Sequence, residues 1–246
     1  MVDMADHISR SFSQELQRLR DMITRMGGMV ENQLALATQG VVDDDADAAG
    51  RAIEQDSAVD ALEREIEQFV IRMLALRQPV AMDLRQVVAA LKITAALERI
   101  GDYAKNVAKR SIVLGQFRLP FSRAALASIS RLVQGNLKLV MDAVGEEDAA
   151  KAVQVWQSDQ EIDDLYTTIF RELITYMMED PRNITPCTHL LFMAKNLERI
   201  GDHATNIAEM VHYAVTGESL PEERPKGGVS AYTIMRPTPE AGADGS

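Results

Sequence analysis

Cysteine is almost missing from this 246-residue chain, and Cys187 is its single example. One thiol cannot form an internal disulfide, so the fold needs no oxidising compartment, and a cytoplasmic location is expected. No Cys or His partners stand at zinc spacing around Cys187. Beside Pro186 it reads as a small buried residue at a helix start. Aromatics make up 5 % of the residues and glycines number 14. Strand signals are nearly absent: alternating β-branched runs bounded by turn pairs do not occur before the C-terminal tail. No apolar run approaches the ~20 residues that span a bilayer. Residues 1–12 lack the apolar core of a signal peptide. Any membrane association is therefore expected to come through a partner. Basic residues are the minority, 26 against 37 acidic, and the net charge is −11. Such a surface repels phosphate backbones and argues against nucleic-acid binding. The few basic residues around Lys105, Lys109 and Arg110 are too sparse to reverse that.

Catalytic apparatus is also missing. There is no Gly-rich phosphate loop, no Ser/His/Asp set, and no Glu-x-x-His pair of the kind that holds di-iron centres in helical bundles. In place of the last, Glu98 and Glu198 are each followed three residues on by glycine.

What the chain has is apolar residues recurring at threes and fours, the period of amphipathic helices. The first helix is expected over about 6–39, with Ile8, Phe12, Leu16, Leu19, Ile23, Met26, Val30 and Leu34 on its stripe. Gly27 and Gly28 in its middle imply a kink or a close helix contact. The run Asp43-Asp44-Asp45 ends it and caps the next helix, 46–77, and Pro79 marks the turn into a third, 81–114. The pattern then restarts with helices over about 122–145, 146–178 and from about Pro186 to 216. Short connections between long helices make antiparallel neighbours. The expected fold is all-α: two tandem three-helix bundles, 8–116 and 121–216, followed by a Pro/Gly/Glu/Ser-rich tail, 217–246, that reads as disordered.

The restart is a true repeat. Residues 97–108 read LERIGDYAKNVA and residues 197–208 read LERIGDHATNIA, identical at nine of twelve positions. A fainter echo, D-x-x-x-D-x-L, joins Asp56, Asp60 and Leu62 to Asp159, Asp163 and Leu165.

The repeated motif carries the candidate chemistry. On the third helix an apolar row, Leu84, Val88, Leu91, Ala95, runs by helical steps into Glu98, Asp102 and Asn106; on the sixth, Leu191 and Ala194 lead to Glu198, Asp202 and Asn206. Like charges at i,i+4 cost a few tenths of a kcal/mol. Their repetition implies something that offsets the cost, and a hard divalent or trivalent cation suits clustered oxygen ligands. Counted from the turns, Asp56 and Asp60 stand level with Asp102 and Glu98, and Asp163 with Asp202. The candidate metal ligands are Glu98, Asp102, Asp56 and Asp60 in the first bundle and Glu198, Asp202, Asp159 and Asp163 in the second. All-oxygen sites suit Mg, Mn, Fe or Ca, and Zn is not excluded. Arg99, Arg199, Lys105 and Lys195 offer ordinary ion pairs as the alternative. Gly101 and Gly201 read as close-packing positions, and His203, replaced by Tyr103 in the first copy, as a packing or rim residue.

The repeated L-E-R-I-G-D-x-A-x-N-x-A motif, preceded by Asp83-Leu84-Arg85 and Leu91-Lys92-Ile93, resembles that of the PhoU family of phosphate-transport regulators over residues 8–216. In the second copy Thr188-His189-Leu190 stands near where Asp83-Leu84-Arg85 would fall. The resemblance implies a non-enzymatic, often dimeric protein that binds metal through Glu98/Asp102 and Glu198/Asp202. It also implies two partners, the ATPase-driven phosphate ABC transporter and a sensor histidine kinase, and restraint of the phosphate-starvation response when phosphate is plentiful. A carboxylate-bridged metal-dependent enzyme on a helical bundle is the alternative of a different class.

Overall fold

The computed structural model describes residues 4–117 and 123–221, with side chains from residue 11 onward. Among the described residues there are six long helices and no strand: α1 (Met4–Val42), α2 (Ala46–Arg77), α3 (Ala81–Leu114), α4 (Ala124–Glu146), α5 (Ala149–Glu179) and α6 (Ile184–Thr216). A single 3-10 turn, Pro181–Asn183, leads into α6. At 1.5 Å per residue the longest helix spans about 58 Å.

Local chemistry sets the ends. Asp45 accepts from the Ala48 amide at 2.9 Å and starts α2. Asp148 accepts from the amides of Ala150 and Lys151 and starts α5. α5 thus begins three residues later than the periodicity implied, because Glu147 turns left-handed (φ 52°) to close α4 and leaves Asp148 as the cap. Gln78, at φ 47°, ends α2 ahead of Pro79, and Gly217, at φ 81°, ends α6. The expected cap Ser122 and residues 222–246 of the expected tail lie outside the described residues.

Helices α1–α3 pack on one another, as do α4–α6, and the two bundles meet through α3 against α6 and α1 against α4. α3 and α6 run antiparallel: Tyr103 meets His203, Arg110 lies over Phe192, and Phe117 meets His189. The buried apolar residues of both bundles, from Leu19 to Val211, form one continuous core. Arg123 ties the inter-bundle connection back to α1, donating to the Val41 carbonyl at 2.9 Å and to Asp44 at 3.0 Å. Arg20 of α1 pairs with Glu147 at the α4–α5 turn.

The glycines of α1 mark a close contact and no helix break, since α1 is continuous through them. A Cβ at Gly27 would lie 2.2 Å from Met141 of α4, whereas Gly28 faces open space. Gly101 and Gly201 are close-packing positions too. A Cβ at Gly101 would sit 3.0 Å from the Gln33 side chain, and one at Gly201 would sit 2.8 Å from Ile162. Cys187 is buried near the start of α6, and burial pushes its thiol pKa up.

Candidate functional site

The repeated motifs occupy the middle turns of α3 and α6. The apolar row leading into the first one is half-exposed, Leu84 and Val88 being open to solvent, so the acids continue a rim and not a core stripe.

In the first bundle the α2 and α3 acids meet around an ammonium group. Lys105 Nζ donates to Asp56 of α2 and to Asp102 of α3, both at 2.6 Å. Gln33 of α1, fully buried, donates to the Ala52 carbonyl at 3.1 Å and to Asp56 at 3.4 Å. Burial works against the Asp102 carboxylate, but the hydrogen bond and charge of Lys105 outweigh it and hold the Asp102 pKa below the ordinary value. Burial likewise opposes the charge of Lys105, and its two carboxylates raise its pKa overall. Glu98 is left with acidic neighbours. Burial first, then the charges of Asp102 and Glu63, push it up to about 7, with Arg99 opposing. The two carboxyls act on one another, and the effect raises Glu98 and lowers Asp102. Arg99 approaches Glu98 at 3.5 Å and Asp102 at 3.9 Å from the exposed side.

The second bundle is built differently. Position 205 is threonine, and its hydroxyl donates to the buried Asp159 and to the Gly201 carbonyl, both at 3.1 Å. Lys195 of α6, whose counterpart in α3 is Ala95, donates to Glu198 Oε1 at 2.5 Å and lies over the Tyr166 ring. Glu198 is 9 % exposed, and its Oε2 is buried with no hydrogen-bond partner. Burial raises its pKa against the Lys195 hydrogen bond, and the charges of Asp202 and Asp163 add to the rise.

The expected ligand sets are placed by these contacts as follows. Asp56 does stand beside Asp102, but through Lys105. Asp60 acts on Glu63, while the acids acting on Glu98 are Asp102 and Glu63. In the second copy Asp163 faces Glu198, and Asp159 is bound to Thr205. Among the described residues no three Asp, Glu, His or Cys side chains converge closely enough to hold a metal ion between them. The charges that stand against these carboxylates are those of Lys105 and Lys195. The like-charge i,i+4 pairs themselves are Glu98/Asp102 on α3 and Glu198/Asp202 on α6, and Glu198 Oε2 is buried with no hydrogen-bond partner.

Three participants were not read from the sequence. Glu63 has no acidic counterpart, since Tyr166 stands at the equivalent place. Gln33 and Asn136 are a buried amide pair, one from the first helix of each bundle, at the same 103-residue spacing as Asp56 and Asp159. That shared spacing is the signal that could have found them. His203 is a packing residue: its ring lies 5.7 Å from that of Tyr103, and burial, then the charge of Arg99, lower its pKa.

A helical protein built of two repeated, acid-bearing three-helix bundles is the class that these features define. The PhoU domain model matches residues 23–111 and again 126–211. The chain belongs to the PhoU family. It is 49 % identical over 225 residues to the phosphate-specific transport system accessory protein PhoU homolog of Caulobacter vibrioides, covering 91 % of this chain and 97 % of that one. The homolog of the same name from Rhizobium meliloti is 47 % identical, over 89 % of this chain and 93 % of that one. Among solved structures, PhoU from Pseudomonas aeruginosa superposes with a TM-score of 0.82 at 41 % identity, over 84 % of this chain and all of the other. The phosphate transport system regulatory protein PhoU from Streptococcus pneumoniae gives 0.78 at 29 % identity, over 85 % and 99 %. The chain is thus an accessory protein of phosphate transport, and the metal-dependent enzyme considered as an alternative is set aside. No helix among the described residues is long and apolar enough to cross a membrane.

Proposed function

We propose that this chain is a cytoplasmic adaptor that links the ATPase subunit of a phosphate ABC transporter to a phosphate-sensing histidine kinase. In that role it holds the phosphate-starvation response off, and restrains uptake, when phosphate is plentiful. The observation that carries the reading is the membership in the PhoU family, over both acid-bearing bundles. A rigid helical scaffold presents two faces at fixed geometry, which suits simultaneous docking and avoids ordering entropy on binding. Self-association into a homodimer belongs to the same reading.

Metal binding is part of the proposal. A divalent or trivalent ion such as Mg, Mn, Fe or Zn would be held by Glu98/Asp102 and Glu198/Asp202. Bound there it would neutralise carboxylates whose mutual repulsion the fold otherwise sustains. Asp56 and Asp163 are the acids of the neighbouring helices in the same proposal.

The test is a phosphate-starvation reporter in a strain lacking the protein. Reintroducing the chain should silence the reporter in phosphate-rich medium, and affinity capture from those cells should recover the transporter ATPase and the kinase. A folded, expressed chain that leaves the reporter on in rich medium would refute the adaptor reading.

A further inference from the structure

The seam between the two bundles opens into an apolar cleft at the end where α6 finishes. We propose that this cleft seats the chain's own C-terminal segment, residues 229–235. The inference goes beyond the adaptor and metal-binding readings and rests on neither.

Four helices build the cleft, which holds about 220 Å3. Its walls are Leu19 and Ile23 of α1, Ala90 and Ile93 of α3, Val144 of α4 and Val211 of α6. An apolar cavity of about 150 Å3 takes up benzene, so this one has room for an aromatic ring or a pair of branched side chains. The Arg20–Glu147 ion pair closes one side, and Arg20 also donates to Gln86 at 3.4 Å. The lip is open: Met82 is 55 % exposed and Val215 41 %.

Three observations select the occupant. First, α6 carries the chain to the cleft: Val211, Ala214 and Val215 near its end belong to the lining, and Gly217 ends the helix at φ 81°. Second, the exit from α6 stands against the helix that leads into the cleft. A Cβ on Gly217 would touch the Arg85 guanidinium, and Arg85 Nε is buried with no hydrogen-bond partner. Glu222 and Glu223 follow within six residues of Gly217 and match that charge. Met82 and Gln86, beside Arg85 on α3, already line the cleft. Third, the sequence after Pro221 holds one apolar-rich run, Val229-Ser230-Ala231-Tyr232-Thr233-Ile234-Met235, between a Pro/Gly spacer and a Pro-containing end. Val229 stands eight residues beyond Pro221, a reach of at most about 26–29 Å. The cleft extends about 17 Å along α3 from Met82 to Ile93. A segment on so short a tether binds at an effective concentration of about millimolar, so a modest apolar contact suffices. Seated there, it covers the lip and touches both bundles at once.

The experiment is disulfide trapping in the full chain. Ile234→Cys is combined either with Met82→Cys on the lip or with Leu76→Cys, a site 71 % exposed at the end of α2 and outside the cleft. Each chain is oxidised in dilute solution, and intrachain and interchain products are separated on a non-reducing gel. The singly substituted chains control for the buried Cys187. The Met82 pair should close its intrachain disulfide roughly tenfold faster than the Leu76 pair. Ala214→Phe, which fills the cleft from α6, should erase that preference, with folding checked by circular dichroism. Tyr232→Asp should erase it too, and it keeps the test decisive should Ala214→Phe fail to fold, because position 232 lies beyond the last helix. Equal rates for the two pairs, or a preference that survives Tyr232→Asp, would overturn the proposal. A Met82 crosslink that is interchain and grows with protein concentration would overturn it in favour of a second copy in the cleft.

Discussion

Glu98→Gln should stabilise the metal-free protein above neutral pH. Glu98 is pushed up to about 7 from 4.5 by burial and by the charges of Asp102 and Glu63. Its folded-state pKa therefore lies above its unfolded one, and between those values the folded state holds more protons. Stability must fall as pH rises through that window, since its slope follows the proton excess of the unfolded state, here negative. The full shift corresponds to about 3 kcal/mol at 1.36 kcal/mol per unit. The side chain is 20 % exposed and Arg99 lies 3.5 Å away, so screening and relaxation reduce the cost to about 1–2 kcal/mol. Glutamine keeps the shape and a donor toward Asp102 but cannot ionise. In chelator at pH 8 the variant should melt higher by roughly 2–6 °C, and at pH 5, where Glu98 is itself largely protonated in the folded state, the difference should shrink toward zero. Thermal melts followed by circular dichroism at both pH values decide it. A variant that is less stable than wild type at pH 8 would show that the ionised carboxylate is needed for folding, and would refute the repulsion argument. Added Mn2+ should reverse the sign at pH 8 wherever Glu98 acts as a ligand.

The glycines give a matched pair. Gly201→Ala drives a Cβ to 2.8 Å from the buried Ile162 and should cost about 1–3 kcal/mol. Gly28→Ala, in open space within α1, should add about 0.5–1 kcal/mol; urea unfolding of both checks the contrast. Gln78→Gly relieves a left-handed residue at the end of α2 and should raise stability by about 1 kcal/mol in the same assay. Asp148→Ala removes the acceptor for two amides at the start of α5 and should lower stability by about 1 kcal/mol, read most directly as faster amide exchange at Ala150 and Lys151.

The helices that carry the site were legible where local chemistry decided them. α2 and α3 run over Ala46–Arg77 and Ala81–Leu114, the spans expected from the Asp45 cap, the Pro79 turn and Gly115. α1 continues to Val42, past the expected end at Gln39, because the acidic run that stops it begins only at Asp43. The acid pairs were legible because i,i+4 spacing alone puts two side chains on one face. The lysines were harder. That Lys105 bridges two helices depends on the register of α2 against α3 and on a long flexible stem reaching across, and neither is written in the motif. The like-charge repetition argued for an external cation; it did not show that Lys105 and Lys195 stand against the same acids. Asp60 was placed by counting from the turn, which gives height along a hairpin but not direction around a helix, so its approach to Glu63 instead of Glu98 could not be seen.

The antiparallel packing of α3 on α6 has a consequence for how such a protein can change. A symmetric pair of identical chains receives every substitution twice, so a residue on its axis always faces its own kind. Here the two halves are fused in one polypeptide, and the position where they cross holds tyrosine on one side and histidine on the other, their rings 5.7 Å apart. The fusion freed each half to drift separately while the shared core kept them mated. One chain can therefore hold different residues at matching places in its two lobes, Lys105 between two acids in one and Thr205 beside Asp159 in the other, which a dimer of identical single bundles cannot do.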